Sequence, residues 1–476
     1  MKLNALILAL ATSLLAACAS TGGLSTRAQP KDAGQLAAAQ TLSAVPLSPA
    51  AWPTEQWWRV FGDAQLDQLI QQALKEQPSL RIAAARLRQA QAVAGIVGAS
   101  LSPQATASLK STEQHFSANS IYPKTLAGQV NSINDATLGV SYELDFWGRN
   151  HAAVDAALDR AHAAEVDAQA ARLVLTTSLA RAYLRLDTAF AQRDLAEQTL
   201  HQREQILALV NKRMAAKLDS RLELTQAEAA LPAAREQIAA INEAIALTRN
   251  QIAALAGQGP DAGLAIARPR LSPGPASALA LPTNVPAELL GRRPDLVAER
   301  WRVEATTQDI RVARAGFYPN ISLNAFAGIQ SVGLGDFLTA GSRMLGLGPA
   351  LSLPVFDGGR LRANLDLRQA DYDAAVETYN ATLIAALHDV ATQLVSMKWL
   401  AEERQQQDEG LALARQSYQL ALKRFQSGLA NYLQVLSAEA LVLGQQRQQI
   451  ESEGRLRELQ LNLIRALGGG YIPAES

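Results

Sequence analysis

Of the 476 residues in this chain, Cys18 stands where its type and setting invite a covalent reaction. It is the only cysteine, so no disulfide can form within the chain. It follows Leu15-Ala16-Ala17 at the end of a short apolar run, Leu3 to Leu15, that opens behind Lys2. Such a run is too brief to cross a bilayer as a helix and has the layout of a secretory leader. Its end resembles a bacterial lipoprotein cleavage box, in which the leader is cut before the cysteine and the thiol and the new amine are acylated. An ordinary secretory leader with an incidental cysteine is the other reading. Ala19 stands where an inner-membrane retention signal usually places Asp, so outer-membrane sorting is expected.

No other constellation carries a reaction. The five histidines, His115, His151, His162, His201 and His388, show no i, i+4 pairing and no cysteine partner, so metal binding is not expected. There is no phosphate-cradling glycine loop followed by Lys-Ser/Thr, and no Gly-x-Ser-x-Gly elbow. Carboxylates abound, but on long helices such charges are usually solvated faces. The expectation is a protein that is not an enzyme and takes no cofactor beyond the covalent lipid on Cys18. Basic and acidic residues balance at 44 each with no basic block, which argues against nucleic acid as a partner.

The elements around these residues occur twice. Pro78-Ser79-Leu80 opens a stretch ending at Ser102-Pro103, and Pro294-Asp295-Leu296 opens one ending at Tyr318-Pro319. Farther on, Phe146-Trp147-Gly148-Arg149 answers Asp357-Gly358-Gly359-Arg360, a register that continues through Arg213/Arg424 to Gly257/Gly468. An internal repeat fixes architecture before any single residue is read. The organisation expected is a leader over 1–17, a lipidated tether over 18–51, a first repeat over 52–257, a Pro/Gly-rich linker over 258–286, a second repeat over 287–470 and a tail over 471–476. Each repeat is a β-hairpin, about 104–147 and 320–357, joined to a long helical hairpin, 149–257 and 360–468.

From Arg149 to Ala256 there is no glycine and only Pro232 among prolines, so little stops a helix. Apolar residues at 3.5-residue spacing run Leu175, Leu179, Ala182, Leu186, Ala189, then Leu200, Leu207, Val210, Met214; Val390, Met397, Leu400, Leu411, Tyr418 and Phe425 are among their second-copy equivalents, with Ala414 on the same seam. That period implies antiparallel coiled helices, and Arg149 to Arg213 would reach roughly 95 Å. The helices turn at Lys217-Leu218-Asp219-Ser220 and at Gly428-Leu429-Ala430-Asn431. Ser220-x-x-Glu223 reads as a capping box, with Asn431-x-x-Gln434 at the matching positions.

Between the helices the chain alternates with period two. Leu138, Val140, Tyr142, Leu144 and Phe146 share one face, with Glu143 and Asp145 on the other. Ile321, Leu323, Ala325, Ala327 and Ile329 form a second set, Leu345, Leu347, Leu351, Leu353 and Val355 another, and Ala105, Ala107 and Leu109 a weaker one. Alternation of this length suits strands with lipid on one side and a lumen on the other. Four strands cannot close a barrel, and open edges are not tolerated in lipid. The expectation is a mixed α/β membrane protein that supplies part of a shared barrel.

These residues resemble the TolC family of outer-membrane export ducts, most closely its lipoprotein branch, the OprM/NodT-type efflux components. The resemblance covers nearly the whole chain. It rests on the box at Cys18, Trp57-Trp58-x-x-Phe61-Gly62-Asp63-x-x-Leu66, Arg292-Arg293-Pro294-Asp295-Leu296, Ala315-Gly316-Phe317-Tyr318-Pro319 and Phe356-Asp357-Gly358-Gly359-Arg360. It implies a homotrimer with a twelve-strand barrel continuous with a twelve-helix periplasmic barrel, lipid-anchored in the outer membrane and reaching into the periplasm. It also implies a periplasmic membrane-fusion adaptor and an energised inner-membrane pump, of the resistance–nodulation–division type, with this chain as the passive exit for drugs or other small toxic molecules. An exit duct for type I protein secretion, and a non-conducting coiled-coil spacer, are the competing readings. By the same resemblance the adaptor docks at Lys217, Leu218, Asp219, Ser427, Gly428 and Leu429, with Gly428 alone matching the glycine of the usual turn. The periplasmic aperture would lie at Glu223, Gln434 and Ser437, of which only Glu223 is charged. Glu143 and Asp145 would face the barrel lumen.

Overall fold

A computed structural model of the chain describes residues 23–36, 52–119, 121–272 and 291–472. Cys18, the leader, most of the tether, part of the linker and the last four residues of the tail lie outside the described residues. In chain order the main elements are α1 (Ala64–Glu76), α2 (Pro78–Gly98), β1 (Gln104–His115), β2 (Val130–Leu144), α3 (Arg149–Ala215), α4 (Arg221–Leu255), α5 (Pro294–Ala315), β3 (Asn320–Val332), β4 (Arg343–Ser352), α6 (Arg360–Gln426) and α7 (Tyr432–Ala466). Helices α3 and α6 have 67 residues each, and α4 and α7 have 35 each. Both pairs sit 211 residues apart (360 − 149; 432 − 221), so the repeat extends to the length of every long helix. Among the described residues no helix is long and apolar enough to cross a membrane.

The chain divides into two compact units. Of the described residues, the first comprises 23–30, 86–119, 121–164 and 298–379 and holds the sheet. Its strands run in the order β1-β2-β3-β4, all antiparallel. The register puts Ala107, Leu138, Ala327 and Leu345 in one row across the sheet, and Ala105, Val140, Ala325 and Leu347 in the next. Side chains alternate across a strand, so the four apolar sets meet on a single face. That face is uncovered: Leu109, Leu138, Leu345, Leu347 and Leu351 are all more than half exposed. Thr106, Gly139, Phe326 and Gly346 make a row on the opposite face, where the Phe326 ring lies over Gly346 in the space a Cβ would need. An aromatic covering a glycine of an edge strand restores packing that the glycine gives up. Below the sheet, Ile310, Ala313, Phe317 and Leu365 form a small core.

Of the described residues, the second unit comprises 31–36, 52–85, 165–272, 291–297 and 380–472. Its main core gathers Trp57, Trp58, Phe61, Leu66 and Ile70 against Leu175, Leu179, Ala182, Tyr183, Leu186 and Ala189 of α3. The tryptophan-rich motif is built around Asp63. Its carboxylate caps α1 by accepting from the Gln65 N–H at 2.8 Å, accepts the Tyr183 hydroxyl at 2.8 Å, and takes the Arg270 N–H at 2.6 Å. Burial, together with the Asp63 carboxylate, pushes the Tyr183 phenol well above its usual range. The Arg293 guanidinium, buried, spans Asp295 at 2.6 Å and Asp389 at 3.2 Å and so fixes the start of α5 against α6. Farther along the long helices, Ile206, Val210, Ala227, Phe425, Tyr432 and Val435 form a separate core that joins the two helical hairpins near their turns.

Candidate functional site

The helical turns share one backbone form. At the end of α3 the Leu218 N–H donates to the Arg213 carbonyl at 2.9 Å and the Lys217 N–H to that of Met214 at 2.9 Å. At the end of α6 the Leu429 N–H reaches Arg424 at 2.8 Å and the Gly428 N–H reaches Phe425 at 3.0 Å. Each is a Schellman closure, which needs a left-handed residue just past the helix. Gly428 supplies it at φ 76°; Lys217 takes the same place at φ 60° and is the only non-glycine residue with positive φ among those described. The turns leave Leu218 65% and Leu429 71% exposed, two apolar side chains presented at equivalent positions.

Asp219, one of the docking positions that the resemblance implied, is turned into the protein. Its side chain is 6% exposed and takes a two-pronged bond from Arg213, at 2.9 and 3.0 Å. The same guanidinium donates to the Phe425 carbonyl at 2.8 Å and lies 4.3 Å from the Phe425 ring centroid. Arg213 and Asp219 therefore brace one turn against the helix of the other. Lys217, Ser427 and Gly428 are exposed.

Past the turns, Glu223 completes a reciprocal cap. Its carboxylate accepts from the Ser220 N–H at 2.9 Å and from the Ser220 hydroxyl, while the Leu222 N–H donates to that hydroxyl oxygen at 3.1 Å. The Ser220 hydroxyl, with the backbone donors at the helix start, holds the Glu223 carboxyl below its usual range. On α7 the Gln434 N–H donates to the Asn431 side chain at 3.3 Å, and the Ser437 hydroxyl to the Leu433 carbonyl at 2.9 Å. Gln434 and Ser437 are exposed.

One charged group here gave no sign in the sequence. Glu439, two residues beyond Ser437, is 3% exposed, and burial raises its carboxyl despite Arg203, whose Nε stands 3.7 Å away. The Arg203 guanidinium also donates to the Ala230 carbonyl at 3.0 Å. Burial, with the Glu439 charge nearby, pushes Tyr432 up to about 12.

At the sheet, Glu143 lies on the polar face of β2, and Arg149 donates to both of its carboxylate oxygens, at 2.7 and 2.8 Å. Asp145 falls outside the strand, which ends at Leu144. Its carboxylate accepts from the His151 backbone N–H at 2.9 Å and pairs with the His151 ring at 2.7 Å, with 7% of the side chain exposed. It is a capping group for α3 rather than the open lumenal charge that alternation suggested. Asp357 serves α6 in the same way, accepting from the N–H groups of Gly359 and Leu361. Beside these starts Trp147 stacks on Tyr318 with centroids 4.6 Å apart and donates its indole N–H to the Pro319 carbonyl at 2.8 Å.

A lone four-stranded sheet with a bare apolar face, set in a chain of paired 67- and 35-residue helices, has counterparts among known proteins. The fusaric acid resistance protein FusA of Burkholderia cepacia is 44% identical over 366 residues, 76% of this chain and 68% of its own. The multidrug resistance outer membrane protein MdtP of Escherichia coli K12 is 33% identical, over 89% of this chain and 88% of its own. The solved structure of the outer membrane protein VceC of Vibrio cholerae superposes with a TM-score of 0.82 at 38% identity, over 88% of this chain and all of that one. The model of the outer membrane efflux protein family matches residues 69–258 and 285–469. The chain belongs to the outer membrane efflux protein family.

Proposed function

We propose that three copies of this chain form one duct, a twelve-strand barrel in the outer membrane continued by twelve helices in the periplasm, through which small toxic molecules leave passively. The observation that carries this reading is the sheet itself. Its apolar face is continuous across all four strands, and β1 and β4 each keep one unpaired edge within the chain. Lipid offers no hydrogen bonds to such edges, so neighbouring copies have to supply them. Acylated Cys18 anchors each copy. The exposed Leu218 and Leu429, flanked by Lys217, Ser427 and Gly428, receive a periplasmic adaptor, and an inner-membrane pump of the resistance–nodulation–division type supplies the energy. The names of the relatives, resistance to fusaric acid and to multiple drugs, set small-molecule efflux ahead of protein secretion.

At the periplasmic aperture Glu223 is the one carboxylate among the three expected positions, and its Oε2 is engaged by Ser220. Block by divalent cations is therefore weak. In the lumen the Glu143 charge is offset by Arg149, so cation preference is slight. Planar-bilayer recording of the purified protein tests the duct. Discrete conductance steps, barely reduced by millimolar divalent cations, are expected. No conductance from folded, membrane-inserted protein would leave a structural spacer as the reading.

A further inference from the structure

On the first unit, a cavity of 560 Å³ opens between the start of α3 and the end of α5. Phe146, Trp147 and Tyr318 line its sheet end, and these are among the exposed aromatics of the chain at 66%, 48% and 42%. Arg311 and Arg314 line it from α5, and Asp155 from α3. His151, which also borders it, is paired with Asp145. Arg311 donates to Gln308 at 3.1 Å, and among the described residues neither arginine has an ion pair with Asp155. The three charges are exposed.

The layout is ordered along the helices. Arg314 sits one residue before the end of α5 and Arg311 four before it, at 1.5 Å per residue. Asp155 lies six residues into α3, about 10 Å along it from Gly148. Starting from the sheet, the groove thus presents aromatic surface and, along the two helices beyond it, a pair of cations and a carboxylate. An amphipathic ring at a bilayer boundary has its apolar body toward the chains and its polar edge toward the headgroups. A phospholipid whose acyl chains lie against the apolar face of the sheet would offer its phosphate next and a terminal amine beyond. We propose that this groove binds a phospholipid of the phosphoethanolamine class from the periplasmic leaflet, its phosphate on Arg311 and Arg314 and its primary ammonium on Asp155. This rests on the membrane placement argued under Proposed function.

The chemistry distinguishes headgroups. An arginine pair gives a phosphate several charge-assisted donors. A primary ammonium donates hydrogen bonds to Asp155, whereas a trimethylated amine carries the same charge and donates none. A glycerol headgroup has no cation to offer.

The test uses the full-length protein in nanodiscs doped with lipids brominated on the acyl chains, which quench nearby indoles. Trp147→Phe identifies the share of emission that belongs to Trp147. Phosphatidylethanolamine should quench that share at a mole fraction about tenfold lower than phosphatidylcholine does. Arg311→Ala/Arg314→Ala, which removes the phosphate donors, should raise the mole fraction needed for quenching by all three lipids about tenfold. Asp155→Asn should equalise phosphatidylethanolamine and phosphatidylglycerol. Should the double alanine variant fail to fold, Arg311→Lys/Arg314→Lys, which keeps the charge without the planar fork, should weaken quenching by all three lipids and retain their order. Excess inorganic phosphate should not displace the lipid; displacement would identify an anion site without lipid specificity and overturn the proposal. Equal quenching by all three lipids would overturn it as well. Bilayer conductance recorded on the same sample keeps the two readings apart: conductance without headgroup preference removes the groove alone, and absence of conductance removes the duct.

Discussion

The turns after α3 and α6 have the same fold and different chemistry. Both close with Schellman hydrogen bonds on a left-handed residue, yet Gly428 occupies that place in one and Lys217 in the other. The Arg213 side chain, 11% exposed, packs against Asp219 and Phe425, whereas its repeat equivalent Arg424 is exposed and Asp219 is answered by Ala430. Glu439 is buried beside Arg203, while its equivalent Glu228 is exposed. Duplication has kept backbone geometry and let the charges diverge. A repeat locates a turn twice, but each turn's polar interactions have to be read from its own contacts.

The contrast can be broken most severely at Arg213. Arg213→Met leaves Asp219 buried without its partner, and loss of one member of a buried pair costs about 3 kcal/mol or more. Arg424→Met should cost under about 0.5 kcal/mol, as surface changes do. Denaturant unfolding, with hydrogen exchange at the turns, measures both. Next comes the left-handed site. Gly428→Val should destabilise its turn by about 2 kcal/mol through backbone strain, since open space surrounds the position. Lys217→Gly relieves the strain of the other turn but adds unfolded-chain freedom, for a net gain of about 0.5 kcal/mol. A loss of stability in Lys217→Gly would show that the left-handed requirement is not shared.

The smallest effect is one of pH. Burial raises the Glu439 carboxyl above its unfolded value, so the folded chain holds that proton more tightly. Its contribution is fully favourable below the ordinary carboxylate range and is lost as pH rises from about 4.5 through the raised folded value. Glu439→Gln should remove that slope from the unfolding midpoint, and Glu228→Gln should leave it. An unchanged slope in the Glu439 variant would place the titration elsewhere.

Much of this architecture is legible in the residues. The absence of glycine from Arg149 to Ala256 gives α3 and α4, and Ser220-x-x-Glu223 gives the cap that starts α4. Period-two alternation in four segments places every apolar set on one face before the strands are paired. Alternation overran the strand at Asp145 because a carboxylate four residues before Arg149 is equally suited to cap the helix that follows. Asp219 read as a surface residue because its partner, Arg213, comes from the preceding helix and both are buried only when the second hairpin packs alongside. Glu439 left no signal, since a charge on a coiled helix is solvated in most registers and its burial depends on Tyr418, Tyr432 and Arg203 from other turns of the fold. Phe326 stands among the polar set of β3, and its place became clear only with Gly346 beneath it.

Everything functional depends on the two bare strand edges being joined between copies. Cysteines stepped along one face of β1 from Thr106 and along β4 from Gly348, where a side chain meets open space, make that joint measurable by oxidation in the membrane. Some β1–β4 pairing should trap a ladder ending at three covalently linked chains. Chains that remain monomeric for every pair, in folded protein recovered from the membrane, would contradict it.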